Sequence, residues 1–265
     1  MRWKKKRRKW ATRSEPAIPI SYRFENAMKA MIFAAGRGER LRPLTDTCPK
    51  PLLKVRGRPL IVWHVLNLVR AGITDIIINH SHLGQQIEDL LGDGSRYGAT
   101  IRYSPEAQAL ETAGAVAQAR ELLGDAPFLA ISADIYCPYF DFEQTKGVLA
   151  DADMWGNPYP VDQRDIAWLY LVKNPDHHPQ GDFGLTLYSI SNQGDPLWTF
   201  ANIGVYRPEM FDAIVPGQHA KLGPLIRHYA DRGQIGGEIF AGDWTNVGTS
   251  LQLDQLNQAS GGLKA

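Results

Sequence analysis

Two cysteines among 265 residues, Cys48 and Cys137, are too few for a disulfide framework, and no metal-ligand spacing joins them. They read as reduced thiols, which removes the disulfide-stapled secreted domains from consideration. Long apolar runs are missing too. No stretch approaches the roughly 18 consecutive apolar residues of a membrane helix, so no spanning segment is expected. The basic opening MRWKKKRRKW has no apolar core behind it and therefore lacks the pattern of a secretory signal. Neither sign of charge dominates, with 29 Lys and Arg against 28 Asp and Glu. These absences together point to a cytoplasmic globular protein.

The charge balance conceals a split. Residues 1–27 carry nine Lys or Arg against Glu15 and Glu25, which leaves the rest of the chain at a net charge of −6. Such an arm suits nucleic acid or anionic lipid. The simpler reading is an extension of no functional weight, because Met28 stands directly before the first strand-like run. The expectation is therefore a basic extension over 1–27, a single domain over 28–265, and neither a nucleic-acid nor a membrane partner. Whether that domain works as a monomer or a homodimer is beyond the sequence.

What is present is an ordinary core-forming composition, 44% hydrophobic, arranged in a regular rhythm. AMIFAA (30–35) reads as a buried strand, PLIVWHVLNLVRAG (59–72) as a helix between Pro59 and Gly72, and ITDIIINH (73–80) as a second strand. A helix over 83–94, a strand over 100–104, a helix over 112–125 with Thr112 as its N-cap, and a strand over 127–134 follow. Strand and helix in alternation predict an α/β fold with a mostly parallel sheet flanked by helices. Beyond about residue 155 the stretches 165–172, 183–190 and 198–207 read as strands without long helices between them, an antiparallel addition. Helices near 221–231 and 249–259 close the chain.

The first strand runs into AAGRGERLRPLTDTCPKPL. No phosphate-binding G-x-x-x-x-G-K-[ST] occurs. The dinucleotide pattern G-x-G-x-x-G fails because Leu41 holds the third glycine position, and the following prolines stop a helix from beginning there. What remains is a longer loop in which Gly36 and Gly38 permit close backbone approach and an anion nest. Arg40 and Lys50 supply positive charge, the latter on a stiff turn between Pro49 and Pro51. Arg37, Arg42, Lys54, Arg56 and Arg58 read as solvated surface cations.

This long motif resembles the signature of the sugar-1-phosphate nucleotidyltransferases, roughly A-A-G-x-G-x-R-[LM]-x-P-L-T followed by P-K-P. The resemblance continues through RYSPEAQALETAGAV, NPDHHPQGDFGL, TFANIGVYRPEMF and WTNVGT, from Met28 to about Asn257. It is greatest toward the short bacterial branch that includes N-acetylmuramate 1-phosphate uridylyltransferases and proteins called mannose-1-phosphate guanylyltransferases.

The resemblance implies a Rossmann-like, GT-A-like nucleotidyltransferase fold and a reaction between a nucleoside triphosphate and a sugar 1-phosphate, dependent on Mg²⁺. It implies UTP with an N-acetylmuramate-type sugar phosphate, in cell-wall sugar recycling; GTP with mannose 1-phosphate is the enzymatic alternative. A catalytically weak nucleotide sensor on the same fold is the alternative of another class. The implied catalytic residues are Arg40, Lys50 and Asp134, with Gly36, Gly38 and Arg40 gripping the triphosphate. Ala35, Asn79, Glu106, Thr112 and Gly114 complete the nucleotide site, and Asp182, Asn202 and Lys221 are the sugar-side candidates. Asp134 ends the fourth strand, where α/β sheets place ligands, and implies a Mg²⁺ ligand. The second usual ligand is an Asp, but WTNVGT puts Asn246 there, which lowers the charge available to the metal. The pair His177 and His178 reads as loop structure or sugar hydrogen bonding, since an already anionic nucleophile requires no base.

Overall fold

The computed structural model describes residues 28–149 and 164–258. The expected extension over 1–27 lies outside the described residues. The first strand, β1 (Lys29–Phe33), has a fully buried centre. The loop that follows contains a short helical turn, α1 (Leu44–Thr47), and a small hairpin of β2 (Lys54–Val55) and β3 (Arg58–Pro59). The long helix α2 (Leu60–Arg70) returns along the sheet. It stops where the sequence predicts. Gly72 is left-handed, its N–H bonds the Val69 carbonyl at 2.9 Å, and the Ile73 N–H bonds that of Leu68 at 2.9 Å. This is the crossed pair of bonds of a glycine-terminated helix.

Strand β4 (Asp75–His80), helix α3 (Gly84–Leu91) and strand β5 (Thr100–Pro105) repeat the unit. The helix expected over 112–125 is two pieces, α4 (Glu111–Gln118) and α5 (Arg120–Leu123), with Ala119 between them. Thr112 is not its cap: the helix begins one residue earlier, after Leu110, with no side-chain capping bond. The chain then enters β6 (Phe128–Ser132) and the two-residue β7 (Ile135–Tyr136).

The second half contains β8 (Ala167–Val172), β9 (Gly184–Thr186), β10 (Ser189–Ser191), β11 (Thr199–Tyr206), α6 (Leu222–Ala230), β12 (Ile235–Ile239), β13 (Thr245–Asn246) and α7 (Ser250–Gln258). The single strand expected over 183–190 is instead a hairpin that turns at Leu187 and Tyr188, both at positive φ. Alternation in the sequence identifies extended backbone, but a turn built without glycine leaves no mark there.

Nine strands form one sheet in the order β5-β4-β1-β6-β11-β8-β12-β10-β9. The first four run parallel, β11 is antiparallel to both β6 and β8, and β12 is parallel to β8. Side chains alternate between the faces. Ala30, Ile32, Ile76, Ile78, Leu129 and Ile131 meet α2 and α3, whereas Met31, Ile77, Phe128 and Ala130 meet α4 and α6. Both faces are apolar because both are covered, which explains the uninterrupted strands IIIN and FLAI. From β1 the chain moves outward to β4 and β5, then returns to β6 on the opposite side of β1. That reversal opens a crevice at the carboxyl ends of β1 and β6.

Candidate active site

Two cavities share this crevice, and Phe33, Thr112 and Ser132 line both. The first, about 340 Å³, is formed by the glycine loop with Asn79, Glu106, Lys50 and Asp134. The second, about 420 Å³, lies on the antiparallel half and includes Arg40, Asp182, Asn202, Arg227, Trp244 and Asn246. The cavity at the glycine loop and the larger one beside it thus meet at the ends of β1 and β6.

The loop is held from within. The Ala34 N–H donates to the Asn79 side-chain oxygen at 3.1 Å. Gly38 is left-handed at φ 70°, and a Cβ there would approach Thr45 Cγ2 to 2.9 Å and Lys50 Cβ to 3.2 Å. The buried Thr45 hydroxyl donates to the Gly38 carbonyl at 2.9 Å. Only glycine satisfies both the backbone angle and the close packing at that position. Gly36 differs: its φ is ordinary, and a Cβ would meet nothing within 4 Å. It borders the first cavity, so its missing side chain leaves room for a ligand rather than for the protein. Ala35 lines the same wall.

Of the cations read as solvated, two are structural. Arg37 donates to the Thr45 carbonyl at 2.6 Å and to Asp46 at 2.8 Å, and Arg42 joins Asp46 at 2.9 Å. The Arg37 hydrogen bond holds the Asp46 carboxyl below its ordinary range. Arg56 and Arg58 lie against the Tyr136 and Trp63 rings, while Lys54 is exposed as expected.

Lys50 and Asp134 meet directly, Nζ to Oδ2 at 2.6 Å, with only 11% and 28% of their side chains exposed. Pro49 and the short turn Lys50–Leu52 aim the lysine, and the end of β6 supplies the aspartate. At the far wall of this cavity Asn79 Nδ2 donates to Glu106 Oε1 at 2.7 Å, and the Leu110 N–H donates to Oε2 at 2.8 Å. Burial raises the Glu106 carboxyl above its usual range, opposed by those two donors. Gly114 stands apart from both cavities. A Cβ there would lie 2.3 Å from the Gln218 carbonyl, so the glycine admits the 218–220 segment against α4 rather than reading a ligand.

Arg40 is the largest departure from expectation. It opens on the second cavity, not on the glycine wall, and its Nη2 would be 2.9 Å from a Cβ at Gly248. Asp182 accepts from His178 Nε2 at 3.1 Å and from the Phe200 N–H at 2.9 Å, so it anchors β11 to the 174–182 loop. His177 and His178 both line the cavity. Asn202 sits in a β11 bulge at φ 54°, a conformation that asparagine adopts more readily than most residues. Lys221 is exposed just before α6 and reaches neither cavity.

Asn246 pairs with Ile135 across β13 and β7, and the Val247 N–H donates to the Asp134 carbonyl at 2.8 Å. This small ladder brings the two segments named as metal ligands side by side. The Asn246 Oδ1 is buried with no hydrogen-bond partner among the described residues. An amide oxygen left bare beside a carboxylate segment fits a divalent cation held by oxygen ligands and substrate phosphates. No group of three or more His, Cys, Asp or Glu gathers among the described residues. Beneath the site, burial pulls the His64 imidazole down to about 4.

Sequence reasoning missed Phe33, Ser132, Arg227 and Trp244. Phe33 and Ser132 end the two strands at the reversal and could have been found from that rule alone. Arg227 and Trp244 carry no local signal, because only the tertiary fold brings α6 and the 240–246 segment to the crevice. No helix among the described residues is long and apolar enough to cross a membrane.

A nucleotidyl transferase family model matches residues 29–153. The N-acetylmuramate alpha-1-phosphate uridylyltransferase of Neisseria meningitidis serogroup B is 48% identical over 245 residues, covering 89% of this chain and all of that protein. A mannose-1-phosphate guanyltransferase of Hypocrea jecorina is 39% identical over 115 residues, 42% of this chain and 32% of that one. Among solved structures, a Bacillus anthracis protein described as a glucose-1-phosphate thymidylyltransferase, in complex with sucrose, superposes with a TM-score of 0.74. It is 23% identical, and the match covers 90% of this chain and 97% of that one.

Proposed function

The chain belongs to the sugar-1-phosphate nucleotidyltransferase family, and we propose that it transfers uridylate from UTP to N-acetylmuramate 1-phosphate. An oxygen of the sugar phosphate attacks the α-phosphorus, the bond from that phosphorus to the β-bridging oxygen breaks, and pyrophosphate leaves with the electron pair. The nucleophile is already an anion, so positioning and charge neutralisation carry the acceleration. The observation that supports this most is the Lys50–Asp134 pair beside the shared wall of a phosphate-loop cavity and a larger one.

Backbone N–H groups from Ala35 to Gly38 hold the triphosphate, with Gly36 leaving space for it. Lys50 neutralises the reacting α-phosphate and the incoming sugar phosphate. Arg40, placed on the second cavity, serves the sugar phosphate rather than the glycine wall. Asn79 and Glu106, locked to one another, form a fixed edge against which a base is read. Asp134 and Asn246 would hold Mg²⁺, which supplies positive charge at the phosphates. The sugar ring rests between Asp182, Asn202, Trp244 and α6. Such a reaction suits the reuse of cell-wall sugars in the cytoplasm.

Pyrophosphate release measured over a matrix of nucleoside triphosphates and sugar 1-phosphates, with Mg²⁺, tests the assignment. Turnover confined to UTP with N-acetylmuramate 1-phosphate is expected. Preference for GTP with mannose 1-phosphate would replace it, and silence with nucleotide binding retained would make the protein a sensor.

A further inference from the structure

Resting on that substrate assignment, we propose that Arg227 recognises a second anionic group on the sugar, the carboxylate of its lactyl ether. The second cavity is lined by two guanidinium groups on different elements. Arg40 comes from the loop after β1, near Gly248 and Asn246, and Arg227 comes from α6. A neutral sugar 1-phosphate carries its charge at one end only and gives the second cation nothing to do. N-acetylmuramate carries a carboxylate on the ring as well as the phosphate.

Arg227 is prepared for such a group. Its guanidinium carbon lies 4.8 Å from the centre of the Phe183 ring, a cation–π contact. Among the described residues it donates only through Nη1, in long bonds to the Asp182 carbonyl at 3.3 Å and the Asn192 side-chain oxygen at 3.4 Å. The nearby acids are otherwise engaged: Asp231 accepts from Asn192 at 2.6 Å, and Asp182 from His178 and Phe200. Arg227 thus has no carboxylate partner among the described residues, in contrast to Arg37, Arg42, Arg102 and Arg120. Among the described residues Nε and Nη2 have no acceptor, and a planar guanidinium fork suits a carboxylate bound through two parallel hydrogen bonds. Arg227 is accordingly a specificity residue, remote from the bond that forms.

The test compares KM for N-acetylmuramate 1-phosphate with that for N-acetylglucosamine 1-phosphate, the same ring without the lactyl group. Arg227→Gln is expected to raise the first KM about 10- to 100-fold more than the second, the range of a charged hydrogen-bonded contact. Arg227→Lys recovers only part of the difference, because an ammonium cannot pair through two parallel bonds. An unchanged UTP-dependent thermal shift verifies that the fold and the first cavity survive. An equal effect on both sugars would make Arg227 a support for Phe183 and Asn192 and overturn the inference. If the wild type instead uses another carboxylate-bearing sugar phosphate with the same Arg227 dependence, the inference holds and the N-acetylmuramate assignment falls. A wild type that turns over only neutral sugar phosphates overturns the inference.

Discussion

The parallel half of the sheet and the antiparallel half each supply one cavity, but they hold their residues in different ways. On the parallel side every key group is fixed by another: Ala34 by Asn79, Asn79 by Glu106, Gly38 by Thr45, Lys50 by Asp134. On the antiparallel side the holding is uneven: Asp182 is anchored by His178 and Phe200, whereas Arg227 has only two long bonds among the described residues and Asn202 sits at positive φ in a bulge. Under the proposed function, triphosphate activation on the parallel side is the same task for any sugar, so its geometry can be locked. Acceptor choice depends on substituents, and groups with few internal partners are the ones free to meet them.

The sharpest way to break this contrast is at its locked end. Lys50→Ala is expected to lower kcat about 10²- to 10³-fold with a much smaller change in nucleotide affinity, read by single-turnover pyrophosphate release and by nucleotide titration. Near-normal turnover would remove Lys50 from the reacting centre. Asn246→Asp sharpens the contrast where the two halves meet. Restoring the second carboxylate is expected to lower the Mg²⁺ concentration for half-maximal rate by about 10-fold, with equal or greater turnover. An unaltered Mg²⁺ titration would argue that Asn246 is no ligand.

On the loose side, Asn202→Gly is expected to leave stability within about 1 kcal/mol, because glycine accepts the left-handed angle more readily. The sugar KM rises several-fold as the amide is lost, while the KM for nucleotide stays put. Equal shifts in both constants would mean that the bulge organises the whole crevice.

An effect on stability rather than on catalysis concerns His64, fully buried under the locked half with its Nε2 unpartnered among the described residues. Its folded value of about 4 lies below the ordinary 6.5. The unfolded chain therefore takes up the proton first, and stability falls as the pH drops from about 6.5 toward 4, by up to roughly 1.4 kcal/mol per unit. In His64→Gln this part of the acid sensitivity disappears, measured by urea unfolding at pH 7 and pH 5.

How much of this was written in the chain depends on which half is considered. In the parallel half, apolar strands, a glycine stop at Gly72 and a long loop motif are all local features, and the element bounds came out within three residues, with the helix expected over 112–125 divided at Ala119. Gly36, Gly38, Lys50 and Asp134, which line the first cavity together, lie in such local features. In the antiparallel half the hairpin at Leu187 and Tyr188 uses no turn residue that betrays it. Lys221 directly precedes the cavity-lining Leu222 and Gly223 but is itself exposed outside the lining, whereas Arg227, six residues on, lies in it. Gly114 reads as a site glycine yet serves packing against Gln218 and Ala220. Arg40 belongs by motif to the glycine loop and in space to the other cavity. Each misplacement arises where long-range packing, rather than neighbouring sequence, decides which way a side chain faces.

Strand β11 belongs to both halves. Its end, Gly204 to Tyr206, is bonded to β6 and β8 together, while Thr199 and Phe200 pair with β8 alone, beyond a bulge in register. The spacing between the two substrates is therefore measured out in backbone ladder rungs, as on a ruler, and not in side chains. Point substitutions can alter what each cavity holds without moving one cavity relative to the other. Only inserting or deleting a residue between Phe200 and Gly204 would change that interval, so the variation this scaffold tolerates is in preference far more than in reach.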